Sequence, residues 1–264
     1  LRLSTYLYQP VNGKLFYSPI WDFDRTMGCD SDARARDPEA WVNYFATQGM
    51  WRNLLGSGVN RKGGEAVMPE FWQEWIDRYH ELRRGVWSEE NLHSIADSMA
   101  AEIREGQARN FERWTATRPP GDRSGAEFNG GDDTWEGEIT HLKGWLSARV
   151  NWMDEQFATL PKMLDVGVLG SGESVTIRDG GTLFTPQDAY YTTDGSDPRL
   201  PGGEVNPNAI LAENRLTPTE NLPIITMRAK LDDQWSGPIR AAVLVDGILR
   251  TGNKRDEIRR PVGS

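Results

Sequence analysis

Apolar positions along this chain fall into two spacings, and the change between them divides it. In "STYLY" (4–8) and "KLFYSPIW" (14–21) aromatic and β-branched residues crowd together. "QPVNG" between them carries Pro and Asn-Gly turn chemistry, so the pattern predicts a β-hairpin over residues 3–21. A polar stretch follows and ends in a helix start near Asp37-Pro38, with Trp41, Tyr44, Phe45, Trp51, Leu54 and Leu55 at helical spacings. After the loop "GSGVNRKGGEAVM", Pro69 suits a first helical turn and Gly85 a stop. Phe71, Trp72, Trp75, Ile76, Tyr79 and Leu82 make one apolar stripe between them. Ser88 caps a long helix running towards Trp114, with Leu92, Ile95, Met99 and Ile103 expected inward. A Gly/Pro/Asp-rich loop spans 117–133. Thr134 then opens a helix with Ile139, Leu142, Leu146, Val150, Met153 and Phe157 on one side, ending before Pro161.

The pattern shifts near residue 164. Short β-rich runs ("ESVTIR", "AYYTT", "NAILA", "PIITMRAKL", "IRAAVLV") replace the long periodic ones. They predict an antiparallel β-sandwich of roughly 80 residues. The expected division is a mainly helical part with an N-terminal hairpin at 1–163, a sandwich at 164–248 and a charged tail at 249–264. The fold class is α+β, multidomain.

Composition narrows the function classes. The 264 residues are 38% hydrophobic and 26% charged, enough apolar material for packed cores. A net charge of −9 and a pI near 5.0 argue against nucleic acid or an anionic membrane surface as partner. No run approaches the roughly 18 apolar residues of a membrane span. A single cysteine, Cys29, excludes an internal disulfide and leaves the compartment open. The chain begins Leu1-Arg2-Leu3, without Met or a leader, and reads as a piece of a longer protein.

The candidate chemistry concentrates in "SPIWDFDRTMG" (18–28). Asp22 and Asp24 flank one phenylalanine after the second strand of the hairpin. Two readings fit them. One is a solvated or helix-capping cluster, paired with Arg25, Arg34 or Arg36. The other is a pair of hard oxygen ligands for magnesium, on one wall of an open cleft with Phe23 anchored in the core. His80, His93 and His141 lack zinc-ligand spacing. Cys29 has no base nearby in sequence and reads as a plain thiol. No glycine-rich phosphate loop is present. In "DGSDP", Asp194 and Asp197 can accept backbone N–H bonds around Gly195; a calcium loop is the alternative. Trp235 fits the core or a sugar platform.

"KLFYSPIWDFDRTMG" resembles the signature of the CotH-type atypical kinases, named for spore coat protein H. The order strand, turn, strand, Asp-Phe-Asp is also similar to the segment that brings a magnesium-binding Asp into protein kinase sites. "PEFWQEWIDRYHELRRGVWSEENL" and "ARNFERW" look like the family's helical half, so the resemblance covers about residues 1–160. It implies a kinase-like C-lobe and, in the intact protein, Mg- and ATP-dependent phosphoryl transfer to protein hydroxyls. Asp22 and Asp24 would be the metal ligands, and Ser4 stands where many members have a metal-binding Asn. The family's nucleotide lobe, ATP-contacting Lys and catalytic base would lie upstream of Leu1. The fragment alone is therefore expected to be inactive, its metal site empty or weakly occupied. "AYYTTDGSDPRLPGG" and "PIITMRAKLDDQWSGPIRAAVLV" resemble the chitobiase C-terminal β-sandwich, Ig/FN3-like in build. That resemblance implies an extracellular or cell-envelope setting, with a cell-surface component or a glycan as further partner. The rival reading is a non-enzymatic extracellular scaffold or carbohydrate-associated binding protein with a degenerate kinase-like shell.

Overall fold

The computed structural model describes residues 6–19, 21, 26–28, 36–41, 49–56, 59, 66–114, 134–164, 167–169, 172–178, 180 and 187–245. The chain is α+β and forms two compact units, Leu1–Phe157 and Ala158–Ser264.

In the first unit the turn chemistry of "QPVNG" closes the expected hairpin. Strand β1 (Leu7–Tyr8) pairs antiparallel with β2 (Phe16–Tyr17), Leu7 opposite Tyr17 and Tyr8 opposite Phe16. The Gly13 amide donates to the Pro10 carbonyl at 2.9 Å, and Asn12 adopts a φ of 58°, a conformation Asn tolerates better than most residues. Tyr8 stacks on Phe16 on one face and both stay exposed. From the other face Tyr17 stacks at 5.3 Å on Trp51 of α1 (Gly49–Leu54). A two-stranded hairpin is marginal alone, so this stack ties it to the helices. The Ser18–Pro19 peptide bond is cis.

Pro69 occupies the first turn of α2 (Pro69–Arg83), and the helix closes at Arg84-Gly85 as its sequence indicates. Trp72, Ile76 and Tyr79 bury its inner face. Burying Ile76 alone contributes about 1.5–3 kcal/mol. These residues meet Leu55, Val59, Ala66, Met153 and Phe157 in one core. Phe157 is its hub, with ring centroids 5.1 Å from Tyr79, 5.6 Å from Trp75, 5.8 Å from Trp72 and 6.1 Å from His80.

Ser88 and Thr134 cap α3 (Glu89–Arg113) and α4 (Trp135–Gln156): their hydroxyl oxygens accept from the Asn91 and Gly137 amides. The inward face of α3 corrects the sequence reading. Ile95, Met99 and Ile103 are 47%, 64% and 53% exposed, whereas Ala96 and Ala100 are buried. The helix turns its small residues and His93 towards α4, because close helix approach favours short side chains over large ones at the contact. Lys143 of α4 pairs with Asp97 of α3 at 2.8 Å.

Among the described residues the second unit holds two sheets. In one, the order is β4 (Gly167–Leu169), β11 (Ile239–Val245), β9 (Leu222–Leu231), β6 (Asp188–Thr192), β7 (Ile210–Leu211), with β10 (Gln234–Trp235) also on β9. The other runs β3 (Lys162–Leu164), β5 (Val175–Arg178), β8 (Arg215–Leu216). All strand pairs are antiparallel but one: β4 and β11 run parallel. A parallel pair needs a long crossover, and these two strands come from distant parts of the sequence, 167–169 and 239–245. Val175, Ile177, Ala189, Tyr191, Ile225, Met227 and Val243 form a core drawn from both sheets.

Candidate functional site

Ser4, Asp22, Phe23, Asp24, Arg25, Cys29 and Arg34 lie outside the described residues, as do the acids' surroundings on which the cleft and capping readings differ. The structure describes what frames the motif. Before it stand β2, the cis Ser18–Pro19 bond and Trp21, whose ring is 58% exposed. After it come Thr26, Met27 and Gly28, the last two with φ of 59° and 78°.

Helix α4 reaches that exit. His141, Trp145 and Arg149 recur every four residues and so share a face. His141 Nε2 lies 3.3 Å from the Gly28 carbonyl oxygen. A carbonyl only accepts, so that nitrogen carries the hydrogen. Trp145 Nε1–H donates to the Arg36 carbonyl at 3.1 Å. Arg149 Nη1 donates to the Pro38 and Ala40 carbonyls at 2.9 and 2.8 Å. Its guanidinium lies 5.3 Å from the Trp41 ring and 5.0 Å from the Trp152 ring, cation–π contacts that strengthen with desolvation. Burial lowers the Arg149 pKa and the Asp37 carboxylate opposes this; an arginine stays charged through such a change. Asp37 itself accepts from the Glu39 amide at 2.8 Å, a local turn at the expected helix start; residues 42–48 lie outside the described set.

The other titratable groups serve packing. The Tyr79 hydroxyl donates to Asp154 Oδ1 at 2.7 Å, and Arg83 Nε also donates to that carboxylate. Burial first, and then Asp154, push the Tyr79 pKa far above the ordinary phenol value. His80 is buried against Tyr79 and Phe157. His93 Nε2 sits 2.8 Å from Ser147 Oγ, and the Ser147 hydroxyl donates to Glu89 Oε1 at 2.7 Å. The cluster contains the residue types of a hydrolytic triad, but its proton order is wrong. Ser147 gives its hydrogen to the carboxylate, and His93 Nε2 also faces the Lys143 carbonyl at 3.2 Å, so it is a donor rather than a base. Serine lowers the Glu89 pKa through this bond. The three histidines thus occupy three separate places. Among the described residues no group of three or more His, Cys, Asp or Glu is placed to hold a metal.

In the second unit "DGSDP" folds as its turn chemistry requires. Gly195 has a φ of 80°, and Asp194 and Asp197 accept from the Ser196 and Arg199 amides at 2.9 Å each. Arg228, almost fully buried, grips both Asp197 oxygens at 2.7 Å and donates to the Ser236 carbonyl. That bidentate pair occupies Asp197 and leaves the calcium reading without one of its two acids. Trp235 is fully buried, with Nε1 donating to the Gly203 carbonyl. It is a core residue and offers no sugar platform.

Sequence reasoning missed the α4 face. Its signal was the spacing of His141, Trp145 and Arg149, three polar-tipped residues on one side of the helix. No helix among the described residues is long and apolar enough to cross a membrane. No curated protein and no solved structure matches the chain. A family model described as CotH kinase protein matches residues 2–153, which takes in the hairpin, the Asp22-Phe23-Asp24 motif and all but the last turn of α4. The chain belongs to the CotH kinase protein family.

Proposed function

We propose that Asp22 and Asp24 hold magnesium for phosphoryl transfer from ATP to protein hydroxyls in the intact protein, outside the cell or in its envelope. The observation that carries this reading is the family match, which spans the acid motif. The donor set fits the ion: two carboxylates one residue apart are hard oxygen ligands, and magnesium takes one or two of these beside waters and phosphate oxygens. The bound ion would neutralise charge on the transferring phosphate. Ser4 would add a hydroxyl oxygen, a weaker donor than the amide carbonyl that many relatives carry there. No residue of this chain is assigned as the catalytic base. Positioning and charge stabilisation carry nearly all of phosphoryl transfer, so on this reading the acid motif alone would not suffice for activity. The second unit would be an accessory module of the chitobiase C-terminal type, serving attachment rather than chemistry.

The test is label transfer from γ-labelled ATP by the full-length protein and by the 264-residue chain. Transfer by the first, lost in Asp22→Ala and Asp24→Ala, is the expected result, with the shorter chain silent. Transfer by the shorter chain that Asp22→Ala abolishes would show that no other part is needed. An inactive full-length protein would favour the scaffold reading.

A further inference from the structure

The hydrogen bonds of the α4 face have one property in common. His141, Trp145 and Arg149 all direct polar hydrogens at main-chain carbonyls, and every acceptor (Gly28, Arg36, Pro38, Ala40) belongs to the stretch that follows Asp22 and Asp24. A helix packing by side-chain complementarity alone would not put three consecutive same-face residues to this use. We infer that His141, Trp145 and Arg149 are positioning residues that fix where the chain leaves the acid motif, an inference that rests on the metal-binding reading above.

Gly28 is the nearest point of contact. A Cβ built there would lie 2.7 Å from Trp145 Cδ1 and 3.0 Å from His141 Nε2, and its φ of 78° favours glycine independently. The backbone at Gly28 therefore presses directly on the two rings. Asp24 precedes Gly28 by four residues, and a chain of that length reaches at most about 14 Å. Whatever holds Gly28 keeps Asp24 within that radius of it, and Asp22, two residues further back, within about 21 Å. Arg149 secures the far end of the stretch, with two charge-assisted bonds and a guanidinium set over the rings of Trp41 and Trp152. Partners bonded directly to a metal ligand typically contribute about 10–100-fold in metal affinity; these three act at a remove, through main chain, so the lower end of that range is the expected effect.

The test uses the 264-residue chain and Mn²⁺ as the probe ion, with two readouts. One is paramagnetic broadening of the tryptophan indole N–H signals on titration with Mn²⁺. The other is hydrogen exchange at Gly28 and residues 36–41. Asp22→Asn and Asp24→Asn should remove the broadening. His141→Ala, and Arg149→Met, which keeps an apolar stem but no donors, should each weaken Mn²⁺ binding about tenfold and speed exchange in the tethered stretch. Both should leave the α2 amides protected, and His141→Gln, which retains an N–H donor, should restore both readouts. If α2 also loses protection in a variant, Trp145→Phe replaces it, since it keeps an aromatic ring and removes only the donor. Faster exchange with unchanged Mn²⁺ affinity would overturn the positioning role and leave a packing contact. Unchanged exchange would overturn the tether itself. A weakly occupied site still fills at high ion concentration, so a wild-type chain with no broadening at millimolar Mn²⁺, or broadening that survives both Asp→Asn variants, would sink the metal reading and the positioning role with it.

Discussion

At Asp197 two opposing effects set the charge. Burial penalises the carboxylate, but the Arg228 guanidinium and the Arg199 amide outweigh it and hold the pKa below the ordinary carboxylate value. A folded-state pKa below the unfolded one gives stability that is present above the unfolded value and is lost as pH falls through the folded value. The second unit should therefore weaken below about pH 4, and Asp197→Asn should flatten that acid limb. At neutral pH the same substitution should cost about 1–3 kcal/mol, because it leaves the buried Arg228 charge without its partner while solvent still reaches the Asp197 side. Urea unfolding followed through the Trp235 indole signal at stepped pH measures both effects; an acid limb identical in Asp197→Asn would refute the account. The residues of this turn were legible in sequence because Asx-type bonds are local: Asp194 and Asp197 each reach an amide two positions on. Their buried partner Arg228 was not, since it comes from β9, 31 positions away.

Helix boundaries were equally legible, because caps and breakers act within one turn. Ser88, Thr134 and Pro69 mark their helices' starts where the sequence placed them. The buried face of α3 was read wrongly for a physical reason. Ile95, Met99 and Ile103 dominate any apolar periodicity by size, yet Ala96 and Ala100 are the ones the structure buries. Met99→Lys should accordingly change stability by no more than about 0.5 kcal/mol. Ala96→Leu, by contrast, forces extra methylenes into a close contact and should cost about 1–3 kcal/mol. Denaturant midpoints of the two variants decide the point, and the reverse order would restore the large-residue face as the inward one. The α4 face was hidden for a different reason. Its partners are carbonyl oxygens, which every residue possesses and no sequence pattern displays. The acid motif itself was read from sequence alone, since Asp22 and Asp24 lie outside the described residues.

For the whole molecule, adjacent residues commit to different cores. Phe157 packs among the aromatics of the first unit, and the Ala158 amide donates to Gln234 Oε1 in the second. Each unit has its own buried cluster, so residues 158–264 should fold when expressed alone. Of the eleven tryptophans only Trp235 lies in that part, which makes its emission a clean reporter. The isolated segment should show the blue-shifted emission of a fully buried indole and one cooperative unfolding transition. Red-shifted emission, typical of an indole in water, would mean that the second core depends on the first. The parallel pairing of β4 with β11 was the topological feature that sequence spacing could not supply, because it joins residues 167–169 to 243–245.

The carbonyl-directed face of α4 has an evolutionary consequence. A tether that reads main chain is indifferent to the identity of most side chains in the stretch it holds. Between Gly28 and Ala40, substitutions that spare the backbone leave every one of these anchors in place, with Gly28 itself the exception. Relatives could thus vary the side chains of this stretch, as antibody loops vary on a constant framework, without losing the contacts that hold its main chain to α4.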